Sequence, residues 1–142
     1  MKKLIAVILV FIVTNSYAGN TSYSCVVKYA GEVTNAGDMD YATNVHKGKN
    51  GMLSSYIGTK FTVDKITGTV IGEIVSNQSA NAIKTEILSN GNGGNAFRLM
   101  TRFGPNPSIL YLQINDYPAY KNGDESPFMG FRWDESISGS CK

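Results

Sequence analysis

Phe97-Arg98-Leu99-Met100-Thr101-Arg102-Phe103 and, after the break Gly104-Pro105-Asn106-Pro107, the run from Ile109 to Asn115 decide the fold. Phe97, Leu99, Thr101 and Phe103 alternate with Arg98, Met100 and Arg102; beyond the break Leu110, Leu112 and Ile114 share one side. Successive side chains of a strand point to opposite faces, so this period of two sets an apolar face against a core and a charged face against water. Proline and glycine between the two runs cannot continue a ladder and turn the chain back on itself. The pair reads as neighbouring antiparallel strands.

The same pattern extends outward in both directions. Upstream, Ile83, Thr85 and Ile87 alternate with Lys84 and Glu86, and Asn90-Gly91-Asn92-Gly93-Gly94-Asn95 follows as a turn whose residues tolerate left-handed φ. Further back, Phe61-Thr62-Val63-Asp64 and Thr69-Val70-Ile71-Gly72-Glu73-Ile74 flank Lys65-Ile66-Thr67-Gly68. Asp64 can cap that turn and Gly68 can take positive φ, which makes a hairpin. Tyr23 to Tyr29 predicts the first strand, 31–51 a long loop with a short edge strand, Met52 to Ile57 a helical turn or short strand, and Phe128 to Trp133 the last strand. The expectation is an all-β domain, an antiparallel meander of about seven strands closed as a small barrel, with a two-sheet β-sandwich as the alternative.

The start of the chain reads differently. Lys2 and Lys3 precede an uncharged apolar run from Leu4 to Val13, and Ser16-Tyr17-Ala18 offers small residues for peptidase recognition. A membrane-spanning helix needs about 20 apolar residues and a signal h-region roughly 7 to 15, so 1–18 reads as a cleavable signal peptide and 19–142 as a single β-rich domain. Lys2 and Lys3 account for the formal charge of +2, leaving the remainder formally neutral, without the basic face that nucleic-acid binding needs. The lipid-facing rows of an outer-membrane barrel are also missing, because Lys84, Glu86, Arg98 and Arg102 fall on the outward side. No stable membrane insertion is expected once the leader is removed.

Cys25 and Cys141 are the only two cysteines. Export places them where thiols oxidise, and without Cys-x-x-Cys spacing they read as a structural disulfide. Such a bond requires Cα atoms about 4.4 to 6.8 Å apart, so the first and last strands should be neighbours.

Signals of chemistry are sparse. His46 is the sole histidine and has no fixed partner in the sequence. Asp38 with Asp40, Asp124-Glu125 and Asp134-Glu135 lack the further oxygens of a calcium loop, so neither a metal site nor a cofactor is expected. Asp64 with Glu73, or Asp116 with Asp134, are conceivable acid and nucleophile pairs of a carbohydrate-active enzyme. Tyr111, Tyr117, Tyr120, Phe128, Phe131 and Trp133 cluster late; of these Tyr117 and Tyr120 flank Pro118 in a loop, where they could stack on a sugar or anchor a protein, or else cap the core.

Phe61 to Gly68, Pro127-Phe128 and Gly139-Ser140-Cys141 together resemble small secreted bacterial β-rich proteins of unknown function. Tyr23-Ser24-Cys25 and the closing Gly139-Ser140-Cys141-Lys142 are similar to the periplasmic C-type lysozyme inhibitors, a likeness that covers only the two ends. That resemblance implies a disulfide-tied barrel that inserts a loop into an enzyme's cleft; no segment here matches the family's inhibitory loop, so it transfers no inhibitory residue. The leading expectation is a periplasmic or secreted binding protein without a catalytic site, recognising a protein or carbohydrate through loops 36–51 and 117–126. The alternatives are a periplasmic inhibitor of a hydrolase such as lysozyme, and an enzyme using paired carboxylates.

Overall fold

A computed structural model describes residues 21–49, 51–92, 94–118 and 120–142; the signal peptide read at 1–18 lies outside the described residues. Among the described residues nine strands and one short helix follow in order: β1 (Ser22–Val33), β2 (Met39–Thr43), α1 (Gly51–Tyr56), β3 (Lys60–Asp64), β4 (Val70–Gly72), β5 (Ala82–Asn90), β6 (Phe97–Phe103), β7 (Ser108–Ile114), β8 (Ser126–Arg132) and β9 (Glu135–Cys141). All pairings are antiparallel, in the order β4-β3-β1-β9-β8-β7-β6-β5, with β2 also on β1.

The all-β expectation holds, and three details change. Among the described residues the strands number nine, not seven, because the short edge strand read within 31–51 adds β2 to the seven and β8 and β9 form a hairpin in place of one strand. The path is not a simple meander: β1 lies between β3 and β9. The sheet curls into a half-barrel that stays open instead of closing, since among the described residues no backbone pairing joins β4 to β5. The cause is local. β4 has only three residues and β5 carries irregularities between Ala82 and Lys84 and between Ile87 and Ser89, so neither offers a straight edge.

Those bulges also correct the reading of β5. Ile83, placed on the core face by alternation, is 70% exposed, because an extra residue in the strand swings its side chain outward. Elsewhere period two reads true. Phe97, Leu99, Thr101, Leu110, Leu112 and Ile114 are all buried. Val27, Val63, Val70 and Ile137 join them, and α1 supplies Leu53 and Tyr56, three residues apart on one helical face.

The hairpin between β3 and β4 forms as its residues dictate. Asp64 accepts the backbone N–H of Ile66 at 2.9 Å and of Thr67 at 2.6 Å, and Gly68 takes φ 71°. These hydrogen bonds favour the charged form and hold the Asp64 carboxyl below its usual range.

The disulfide Cys25–Cys141 is present, and β1 and β9 are neighbours in register. Its Cα atoms stand 3.9 Å apart, below the expected span. The two cysteines face each other between ladder bonds, with Ser24 and Lys142 exchanging N–H···O contacts of 2.9 Å alongside, the arrangement in which opposed Cα atoms come closest. With its cysteines 116 positions apart in the chain, the bond restricts the unfolded chain by about 5 kcal/mol in the chain-entropy picture.

The missing β4–β5 pairing is bridged by a side chain. Asn77, only 4% exposed, donates through Nδ2 to the Gly68 carbonyl at 2.8 Å, to Thr85 Oγ1 at 3.2 Å and to Thr101 Oγ1 at 3.1 Å. Its Oδ1 accepts the Val70 N–H at 2.8 Å. One amide thus serves backbone groups of β4 and its turn and hydroxyls of β5 and β6, where a ladder would otherwise run.

Candidate functional site

The late aromatic cluster separates in space. Phe128 enters the core edge-on to Phe61 at 5.2 Å, while Tyr111 and Phe131 pair on the convex face of the sheet. Tyr117 and Tyr120 lie edge to face at 4.7 Å beyond the end of β7, on the rim that carries the disulfide; Tyr117 is half-buried and Tyr120 is 55% exposed. Desolvation raises the Tyr117 phenol, its bond to Tyr120 adds to that, and Arg98 opposes both. The neighbouring contacts on this rim are ones of fixation. Asp116 accepts Tyr23 Oη at 2.9 Å and Ser126 Oγ at 3.1 Å, and pairs with Lys121 at 2.7 Å and Lys65 at 3.5 Å. The shallow hollow there measures about 140 Å³.

The larger cleft, about 430 Å³, opens on the opposite rim and is built by three turns distant in sequence. The β4–β5 connection contributes Ser76, Ser79 and Asn81; the β6–β7 turn contributes Phe103 to Asn106 and Ser108; the β8–β9 hairpin contributes Arg132 and Trp133. The first two are tied together where the Gly104 N–H donates to the Asn81 carbonyl at 2.9 Å.

Trp133 sets this rim apart. It follows Arg132, whose partner across the hairpin is Glu135, so Trp133 and Asp134 form a two-residue turn. Its φ is 57°, and it alone among the described non-glycine residues lies in the left-handed region. A bulky L-residue there costs about 1 to 2 kcal/mol, and glycine would normally fill the position. The indole is nonetheless 62% exposed, so burial does not offset that cost.

Arg132 is positioned from beneath. Its guanidinium stands 4.5 Å from the Trp133 ring centre, and Nη1 donates to Tyr56 Oη at 3.2 Å. Tyr56 in turn donates to Oε2 of Glu135, a carboxylate only 6% exposed. Burial pushes the Tyr56 phenol up to about 12, the bond to Glu135 adds to this and Arg132 partly opposes it, so the hydroxyl keeps its proton at neutral pH. Among the described residues no carboxylate pairs with Arg132 at ion-pair distance, and Arg132 is the one charged side chain lining the cleft.

The remaining residues singled out by sequence fall into other roles. His46 stacks on Tyr41 at 4.5 Å, on the outside of the sheet. Asp40 is buried and accepts the Lys49 N–H, closing the loop after β2. Glu125 pairs with Lys28 at 3.0 Å and Lys142 at 3.9 Å. Neither proposed carboxylate pair forms a site: Asp64 and Glu73 lie at opposite ends of the β3–β4 hairpin, and Asp116 and Asp134 at opposite ends of β7. Among the described residues no group of three or more His, Cys, Asp or Glu side chains is placed to hold a metal ion.

Arg132, Asn81 and Asn106 line the cleft without standing out in the sequence, where Trp133 is one of a late aromatic group from which Tyr117 and Tyr120 are singled out. One signal was available. The lone tryptophan followed by Asp134 sits between the strand ending at Arg132 and the alternating Glu135-Ser136-Ile137-Ser138, where a hairpin turn would be sought.

The protein is thus an all-β half-barrel with a disulfide between its first and last strands and an aromatic and guanidinium cleft at one rim. No protein-family model, curated protein or solved structure matches the chain.

Proposed function

We propose that this protein is a non-catalytic binding domain that works outside the cytoplasm and recognises its ligand in the cleft headed by Trp133. One observation carries the reading: a large aromatic residue held exposed, at a cost, in a backbone conformation that favours glycine, beside a cleft of about 430 Å³. Strain of this kind persists where an activity requires it, and the volume falls within the roughly 300 to 1,000 Å³ of small-molecule sites. The Cys25–Cys141 bond supports an oxidising compartment. No helix among the described residues is long and apolar enough to cross a membrane.

The test is an array of envelope and extracellular glycans and peptides probed with the wild type and with Trp133→Gly. Ligands retained by the wild type and lost by the variant, with unchanged circular dichroism, support the cleft. Ligands indifferent to the substitution, or none at all, overturn it.

A further inference from the structure

The lining of the cleft points to a chemical class of ligand, an assignment that rests on the cleft being the binding site. Its polar groups are of two kinds. Ser76, Ser79, Asn81, Asn106 and Ser108 line it with neutral hydroxyl and amide residues, of which Ser76 already donates to the Val70 carbonyl and Ser79 already accepts the Asn81 N–H, while Arg132 is the single charge and has no carboxylate paired to it among the described residues. Neutral donors and acceptors that ring a cleft suit a ligand rich in hydroxyls, since each sugar hydroxyl both gives and accepts a hydrogen bond. The exposed indole supplies a flat apolar wall on which the C–H face of a pyranose can lie. Arg132 presents a planar fork whose geometry matches a carboxylate, with one face already on the indole and Nη1 fixed by Tyr56.

We propose that the cleft takes an acidic saccharide, with the carboxylate of a uronic or sialic acid unit on Arg132, its ring face on Trp133, and its hydroxyls on the serines and asparagines. Tyr56 acts as a positioning residue. Tied to the buried Glu135, it holds the guanidinium toward the cleft so that little side-chain freedom remains to be lost on binding. A peptide ending in a free carboxylate would satisfy Arg132 but would leave the neutral ring of hydroxyls and amides with fewer partners, so the saccharide is the better fit.

The protein carries its own probe, because Trp133 is its sole tryptophan and its emission reports this cleft alone. Two acidic arms, a galacturonic acid tetramer and sialyllactose, are titrated against their neutral counterparts, a galactose tetramer and lactose, with a peptide bearing a free C-terminal carboxylate as a fifth arm. At least one acidic saccharide should shift the emission and bind about ten-fold or more tightly than its neutral counterpart, an advantage that shrinks as salt is raised. The arm that responds identifies the acid. Arg132→Gln should erase the preference, and Tyr56→Phe should weaken it while sparing whatever neutral binding remains. Since the wild type alone yields the acid-to-neutral ratio, a poorly folded Arg132 variant does not remove the test. Equal affinity for acidic and neutral sugars overturns the charge assignment and leaves the cleft standing. Binding of the peptide alone overturns the saccharide and likewise leaves the cleft. No response from any arm overturns the assignment, and the array with Trp133→Gly then decides the wider reading separately.

Discussion

Trp133 can be replaced in two ways that separate its ring from its backbone. Trp133→Ala and Trp133→Gly both remove the indole, its contact with Arg132 and its wall of the cleft, but alanine keeps a Cβ at φ 57° and glycine does not. The left-handed conformation costs an L-residue about 1 to 2 kcal/mol. Glycine has more unfolded-state freedom to lose, about 0.5 to 1 kcal/mol. The difference leaves Trp133→Gly more stable than Trp133→Ala by roughly 0.5 to 1 kcal/mol, or about 3 °C in Tm for a domain of this size. At an ordinary strand or turn position the order reverses, so the sign alone is diagnostic. Urea melts and differential scanning calorimetry of the two variants, with the disulfide intact, measure it. If alanine equals or exceeds glycine, residue 133 is not strained in solution and its exposed ring no longer points to a binding role.

Asn77→Ala should cost about 3 kcal/mol, because it leaves the Val70 N–H and the Gly68 carbonyl without partners at the gap between β4 and β5, and amide exchange at Val70 should accelerate first; a loss below about 0.5 kcal/mol refutes the bridging role. The Asp116 carboxyl is raised by desolvation, but hydrogen bonds from Lys121, Tyr23 and Ser126 and the Lys121 charge outweigh that and hold it below its usual range. Its contribution is therefore complete above about pH 3.9 and is lost as pH falls through the lower folded value. Asp116→Asn should cost about 2 kcal/mol at pH 7, with the gap to wild type narrowing as the pH is taken below about 3.9. A gap that stays constant across that range contradicts the sign.

Short-range physics, together with there being just two cysteines to pair, accounts for what the chain alone shows. Alternation along Phe97 to Phe103 and from Leu110 to Ile114 fixes which faces meet the core, because strand geometry forces successive side chains to opposite sides. Asp64 and Gly68 settle their hairpin by short-range hydrogen bonding and by the backbone freedom of glycine, and two lone cysteines could be matched to each other. Tertiary structure decided the rest. Ile83 reads as core from its spacing, yet a bulge, which depends on the register of β5 against β6, turns it to solvent. The β4–β5 edges fail to pair because their lengths and irregularities do not match, and Asn77 crosses the gap by contacts up to 24 residues away in sequence. The cleft assembles Asn81, Asn106 and Trp133 from three separate turns, and the left-handed φ of Trp133 is imposed by the tight hairpin that holds it. Neither a side chain's neighbours across a curled sheet nor the φ that a closing ladder forces on an exposed residue is written in the periodicity of the chain. Both depend on how the strands close on one another.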